Sequence, residues 1–197
     1  MGSGRLEAFS DAVIAILITI MVLEFKVPHG TDLHALRSVA PTFLSYVLSF
    51  VFLGIYWNNH HHLLQATKVV TGGVLWANLH LLFWLSLFPF ITSWMGENHF
   101  AKTPVAIYGT VSLLAAIAYY ILQGRIVAAQ GPDSLLPEAL GSDLKGKLSP
   151  VLYSCGIAAS FASRWIGLGF YVVVALMWLV PDRRLEARLQ SVNPKGV

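Results

Sequence analysis

Residues 5–24 read RLEAFSDAVIAILITIMVLE. The apolar run has the length of a membrane helix, about 20 residues. Yet Arg5, Glu7, Ser10, Asp11 and Glu24 lie in it or beside it. An ionisable group in the bilayer interior costs about 3 kcal/mol or more, so such groups face a protein interior or a water path. A hydrophobic anchor has no use for them. The stretch therefore reads as the working helix of a transport protein, one that lines a pore.

The rest of the composition agrees with a membrane setting. The chain is 56% hydrophobic and 12% charged, with mean hydropathy +0.65. A soluble domain averages roughly 25% charged residues. The expectation is an all-α integral membrane protein with little room for a soluble domain. The net charge of +3 and pI near 9.1 reflect basic loop ends rather than nucleic-acid binding. Cys155 is alone, so neither an intrachain disulfide nor a cysteine-based metal site is expected. The first apolar run carries charges and lacks the pattern of a cleaved signal peptide.

Apolar runs predict six transmembrane spans, at about 6–25, 42–65, 74–95, 104–127, 148–163 and 165–180. Pro89 lies inside the third and is expected to bend it. The last apolar block, 148–180, is too long for one straight span and is divided near Ser163 and Arg164. Residues 1–181 then form the membrane domain, and 182–197 a short basic tail. Six spans put both termini on one side. That side carries Arg5, Lys68, Arg125, Lys145, Lys147, Arg183, Arg184, Arg188 and Lys195, against Lys26, Arg37, Lys102 and Arg164 on the other. The excess predicts a multi-pass protein of the cytoplasmic membrane with both termini in the cytoplasm.

At about 100° per residue, Ile16, Thr19, Ile20 and Leu23 share one face of the first helix, with Arg5 and Phe9 on its N-terminal extension. Ser10 and Asp11 lie on the far side. The second span ends in YWNNHHHLLQ, and the third carries Asn78 and His80 in its first turns. Polar residues of three helices thus fall at one depth. Buried polar groups in lipid need partners, so Asp11 is expected to accept from a histidine or an asparagine. His60, His61 and His62 are consecutive and diverge around the helix. They do not form the i, i+4 pair that metal-binding helices favour, and no metal or other cofactor is predicted. Neither a GxSxG elbow nor HExxH occurs, so no enzyme is predicted. A competing reading is a proton-coupled transporter that relays protons between Asp11 and a histidine of the second or third helix. The absence of a repeat or a broken helix pair speaks against it.

The run with Arg5, Phe9, Ser10 and Asp11 resembles the R-x-x-x-F-S-D signature of the transmembrane protein 175 family of potassium channels. LEFKVP, YWNNHHHLL and NLHLLFWLSLFPFITSW are similar to that family as well. The resemblance is strong over about residues 5–95. It implies a six-helix unit without the TVGYG filter, and a homotetramer for a chain with one unit. It also implies a pore lined by the first helices of four subunits. On this sequence the narrow apolar ring and its hydroxyl layer fall on Ile16, Thr19, Ile20 and Leu23. Arg5, Phe9, Ser10 and Asp11 would hold that helix through His60, His61, Asn78 and His80. The implied function is a leak-type channel that prefers K+ to Na+, with lipid and permeant monovalent cations as partners.

Overall fold

A computed structural model describes residues 2–131 and 144–179. The expected basic tail, residues 182–197, lies outside the described residues. Among the described residues seven α-helices follow one another: α1 (Ser3–Ile20), α2 (Ala40–Gln65), α3 (Gly72–Ser86), α4 (Phe88–Glu97), α5 (Lys102–Gln130), α6 (Leu144–Ala162) and α7 (Arg164–Leu179). Local sequence explains several boundaries. Pro41 sits in the first turn of α2, where its missing N–H is not needed. Thr71 accepts from the Val74 amide and caps α3. The third apolar run is interrupted at Leu87, just before Pro89, which opens α4. A proline here removes one backbone donor and breaks the helix into two rods.

Among the described residues four segments are long and apolar enough to cross a membrane: Ser3–Glu24, Ala40–Gln65, Gly72–Glu97 and Lys102–Gln130. The apolar block that follows divides at Ser163 into α6 and α7. These two form an antiparallel hairpin. Trp178 Nε1 donates to Ser149 Oγ at 2.9 Å, Gly156 faces Tyr171, and Ser160 faces Gly167. Residue numbers rise on one helix as they fall on the other.

Small residues allow the close approaches. A methyl group at Gly109 would overlap the Tyr171 hydroxyl, and one at Gly167 would overlap Ser160. Van der Waals packing of this kind drives helix association where lipid removes the hydrophobic incentive. The core beside it is aromatic: Phe52, Phe88, Tyr108, Tyr153 and Tyr171 pack with ring centroids about 6 Å apart. Ser49 holds α4 and α5 to α2 through Thr92 (2.6 Å) and the Tyr108 hydroxyl (3.0 Å).

α1 lies at the edge of this bundle. It packs on α2, α3 and α4, with Leu6, Ser10, Ile14 and Leu17 buried. Its opposite face is exposed among the described residues.

Candidate functional site

One short chain of hydrogen bonds secures α1. His60 Nε2 on α2 donates to Asn78 Oδ1 on α3 at 2.7 Å. Asn78 Nδ2 donates to Ser10 Oγ on α1 at 2.9 Å. Ser10 Oγ–H then donates to the Leu6 carbonyl at 2.8 Å. All three side chains are fully buried. Each step satisfies a donor that would otherwise be bare in an apolar medium. A second link joins the same helices: Glu7 and His61 Nδ1 approach to 2.7 Å, both partly exposed. His61 also stacks near Trp57.

These contacts depend on antiparallel register. α1 runs against α2, so Glu7 meets His61 while Phe25 at the other end meets Phe43 and Tyr46. The polar groups of α1, α2 and α3 therefore do meet at one level. The consecutive histidines part company there: His60 turns to Asn78, and His61 to Glu7.

Four of the residues expected to hold α1 sit elsewhere in the structure: Arg5 and Phe9 are exposed on the side of α1 away from the network, and Asp11 and His80 differ as follows. Asp11 was expected to accept from a histidine or asparagine. Its Oδ1 is buried and has no hydrogen-bond partner. The neighbouring Ser10 takes the asparagine instead, because Ser10 faces α3 and a turn of about 100° carries Asp11 away from it. His80 is also outside the network. It is exposed, and its Nε2 accepts from Trp84 Nε1 at 2.9 Å, one turn along the same helix.

The other face of α1 carries Arg5, Phe9, Ile16, Thr19, Ile20 and Leu23, all exposed. Ile16 is 57% exposed and Leu23 80%. Large aliphatic groups are thus bare on this side of the helix, as they are on the outer faces of the other helices. The Thr19 hydroxyl hydrogen folds back on its own helix, within reach of the Ala15 and Ile16 carbonyls at 3.0 and 2.9 Å. Its oxygen lone pairs are thereby turned outward. After Ile20 the helix tightens into a 3-10 turn, Met21–Glu24. A 3-10 turn advances faster per residue than an α-helix, so Leu23 departs from the position that uniform α-helical spacing gives it.

The far end of α1 is tied to α4. Ser93 Oγ donates to Glu24 Oε2 at 3.2 Å, and Lys26 Nζ pairs with Glu97 at 2.7 Å. The hydrogen bond to Glu97 holds the fully exposed Lys26 ammonium above its ordinary pKa. Neither tie was foreseen from the sequence. The sequence does carry opposite charges just past the ends of the first and third spans, at Lys26 and Glu97.

Residues 5–89 match the family described as "Endosomal/lysosomal potassium channel TMEM175". A potassium channel of Chryseobacterium sp. (strain P1-3) is 55% identical over 97% of this chain and all of its own length. The chain belongs to the TMEM175 family. A second relative, a potassium channel of Streptomyces collinus, is 29% identical over 89% of this chain and 91% of its own. The solved structure of a lysosomal potassium-selective channel TMEM175 homolog from Chamaesiphon minutus matches with TM-score 0.78 and 28% identity, covering 90% of this chain and 96% of that one. The family is one of channels, not enzymes. In this TMEM175 family member, the matched region contains both the hydrogen-bond chain and the exposed face of α1.

Proposed function

We propose that this protein is a potassium-selective, leak-type cation channel of the cytoplasmic membrane, built as a homotetramer in which four copies of α1 line the pore. The observation that carries this reading is the two-sidedness of α1. Leu6, Ser10, Ile14 and Leu17 are buried against the bundle, while Ile16, Thr19, Ile20 and Leu23 stand bare on the opposite side. Four such faces around one axis bury each other and enclose a narrow path. Relatives named as potassium channels, along nearly the full chain, support the choice of ion.

In this reading a ring of Ile16 side chains forms the constriction. An apolar ring gates by width and wetting. A slightly wider ring passes partly dehydrated ions, and K+ sheds water more easily than Na+. Outward lone pairs on Thr19 replace part of the lost water. Six spans follow if α6 and α7 cross as a short hairpin, which leaves both termini in the cytoplasm. Glu24 and Asp32 then lie toward the outer mouth, where negative charge raises the local cation concentration.

The test is electrical. Purified protein is reconstituted in planar bilayers, and reversal potentials are measured under K+/Na+ gradients for the wild type and Ile16→Asn. Potassium-selective unitary currents that lose selectivity in the variant are the expected result. A wild type that carries saturable, proton-driven flux without unitary steps would sink the channel reading.

A further inference from the structure

The connection from α1 to α2 carries a short 3-10 helix, Leu33–Ser38. Asp32 caps it: its side chain accepts from the Ala35 amide at 3.0 Å. A 3-10 helix has about three residues per turn, so residues three apart stand on one edge. Leu33 and Leu36 form an apolar edge, His34 and Arg37 a polar and basic one, and Ala35 and Ser38 the third. Leu33 is 85% exposed and Leu36 51%. His34 and Arg37 are exposed beside them, and no residue of this helix is buried.

A bare leucine on a spanning helix meets lipid, but these two stand outside the spans. Their place in the fold accounts for them. α2 has 26 residues. At 1.5 Å per residue that is about 39 Å, against a hydrocarbon core of about 30 Å. The last turns of α2 lie at the polar level where His61 meets Glu7. Its first turns therefore reach the boundary between acyl chains and headgroups at the opposite surface. The 3-10 helix ends just before α2 begins and packs against it. Phe43, Leu44, Val47 and Phe50 are exposed along α2, so bare apolar side chains continue along the chain from the span into the short helix.

We propose that Leu33–Ser38 is an interfacial foot that lies flat on the phospholipid surface, with Leu33 and Leu36 among the upper acyl chains and Arg37 at the lipid phosphates. Charge complementarity selects this partner. Asp32 is the one acid between Lys26 and Val39, and its carboxylate is turned to the Ala35 amide. The exposed edge is thereby left basic. An apolar edge beside a basic one fits the narrow zone where acyl chains and anionic phosphates adjoin. The long Arg37 side chain spans that zone, with its stem on the apolar side and its guanidinium in the headgroups. The foot then fixes the depth of the ends of α1 and α2 that it joins. The inference rests on α2 crossing the bilayer and not on the pore.

Single spin labels are placed along the foot through Leu33→Cys, His34→Cys, Ala35→Cys, Leu36→Cys, Arg37→Cys and Ser38→Cys. Each is made in full-length protein that carries Cys155→Ser, held in nanodiscs of phosphatidylcholine and phosphatidylglycerol. Power saturation compares access to oxygen, which concentrates among acyl chains, with access to a nickel chelate, which stays in water. The oxygen-to-nickel ratio should be highest at 33 and 36 and lowest at 34 and 37, repeating with the turn of the 3-10 helix. Ratios that all match water, or that lack this repeat, would overturn the proposal. So would labels at 33 and 36 that are shielded from both reagents and broadened by neighbouring labels, which would place a second copy on this face. The unlabelled chain gives a second test that needs no variant. Hydroxyl-radical oxidation in the same nanodiscs, scaled by the intrinsic reactivity of each residue, should modify His34 and spare Leu33 and Leu36. Equal scaled oxidation of the three would overturn the foot. Neither experiment reads ion flux, so failure of the foot and failure of the channel reading are separate results.

Discussion

The two sides of this molecule are held together by different physics. α5, α6 and α7 meet through close backbone approach and interlocked rings, with Gly109 seated against Tyr171 and Gly167 against Ser160. α1 meets the bundle through a line of aliphatic contacts and one hydrogen-bond chain, His60 to Asn78 to Ser10. The first arrangement tolerates almost no displacement, because packed cores are stiff. The second is directional: it fixes a rotation and a depth at few points. In the proposed channel, the hydrogen-bond chain sets the rotation of α1 and so how Ile16 and Thr19 are aimed. The contrast teaches that close packing sets the distances between the last helices, while hydrogen bonds set the rotation of the first.

The strongest way to break that contrast is Gly109→Leu. It drives a side chain into the Tyr171 ring, and overpacking of this sort costs about 1–3 kcal/mol or more. The expected outcome is loss of folded protein in size-exclusion chromatography. A variant that folds and melts normally would mean that the scaffold is not rigid here.

Asn78→Leu ranks next. It leaves His60 Nε2 and Ser10 Oγ without their partner. Hydrogen bonds between membrane helices average about 0.6 kcal/mol, and bare buried groups cost about 1–3 kcal/mol. A loss of about 1–2 kcal/mol is expected, read as a lower melting temperature in detergent, together with altered open probability. Leucine should leave the α5–α7 unit folded, visible as unchanged hydrogen-exchange protection there.

Ile16→Asn should alter ion selectivity while each subunit stays folded, because Ile16 faces away from the subunit's own core. A large drop in melting temperature would mean that Ile16 is a packing residue after all.

Lys26→Gln should have the smallest effect. The Lys26–Glu97 pair is exposed, and such pairs contribute little to stability. Removing the cation leaves Glu97 uncompensated beside the end of α1. Unitary conductance should rise at low salt, and the rise should vanish near 1 M salt, where the screening length is about 3 Å. The raised pKa of Lys26 fixes the sign of any pH effect. Whatever the pair contributes is fully present below the ordinary lysine pKa. It is lost only as pH rises through the still higher folded value. The wild type should therefore show no change from this pair between pH 6 and pH 9.

Much of this was legible in residues 5–24. Hydropathy alone marks the helices, because lipid admits few other backbones. The 3.6-residue period divides α1 into two faces, and the exposed one carries the apolar stripe. Polar residues at matching positions of the first three spans announced a network near Ser10. Ser10, His60, His61 and Asn78 were among the residues named for it, but the pairing between them was not legible. Asp11 and Ser10 are adjacent in sequence, and only the rotation of α1 against α3 decides which of them faces Asn78. His80 likewise turned to Trp84 on its own helix. The Glu24–Ser93 and Lys26–Glu97 ties depend on how α4 departs from α3 at Leu87, a direction that sequence spacing does not encode.

By itself, the sequence determined the membrane setting, the all-helical class and the family, because these depend on composition, period and motif, which are local properties of the chain. Tertiary structure alone decided which polar group meets which, and where a glycine must admit a tyrosine. Those outcomes depend on relative helix rotation to within a fraction of a turn, and rotation is set by the packing of all the helices at once.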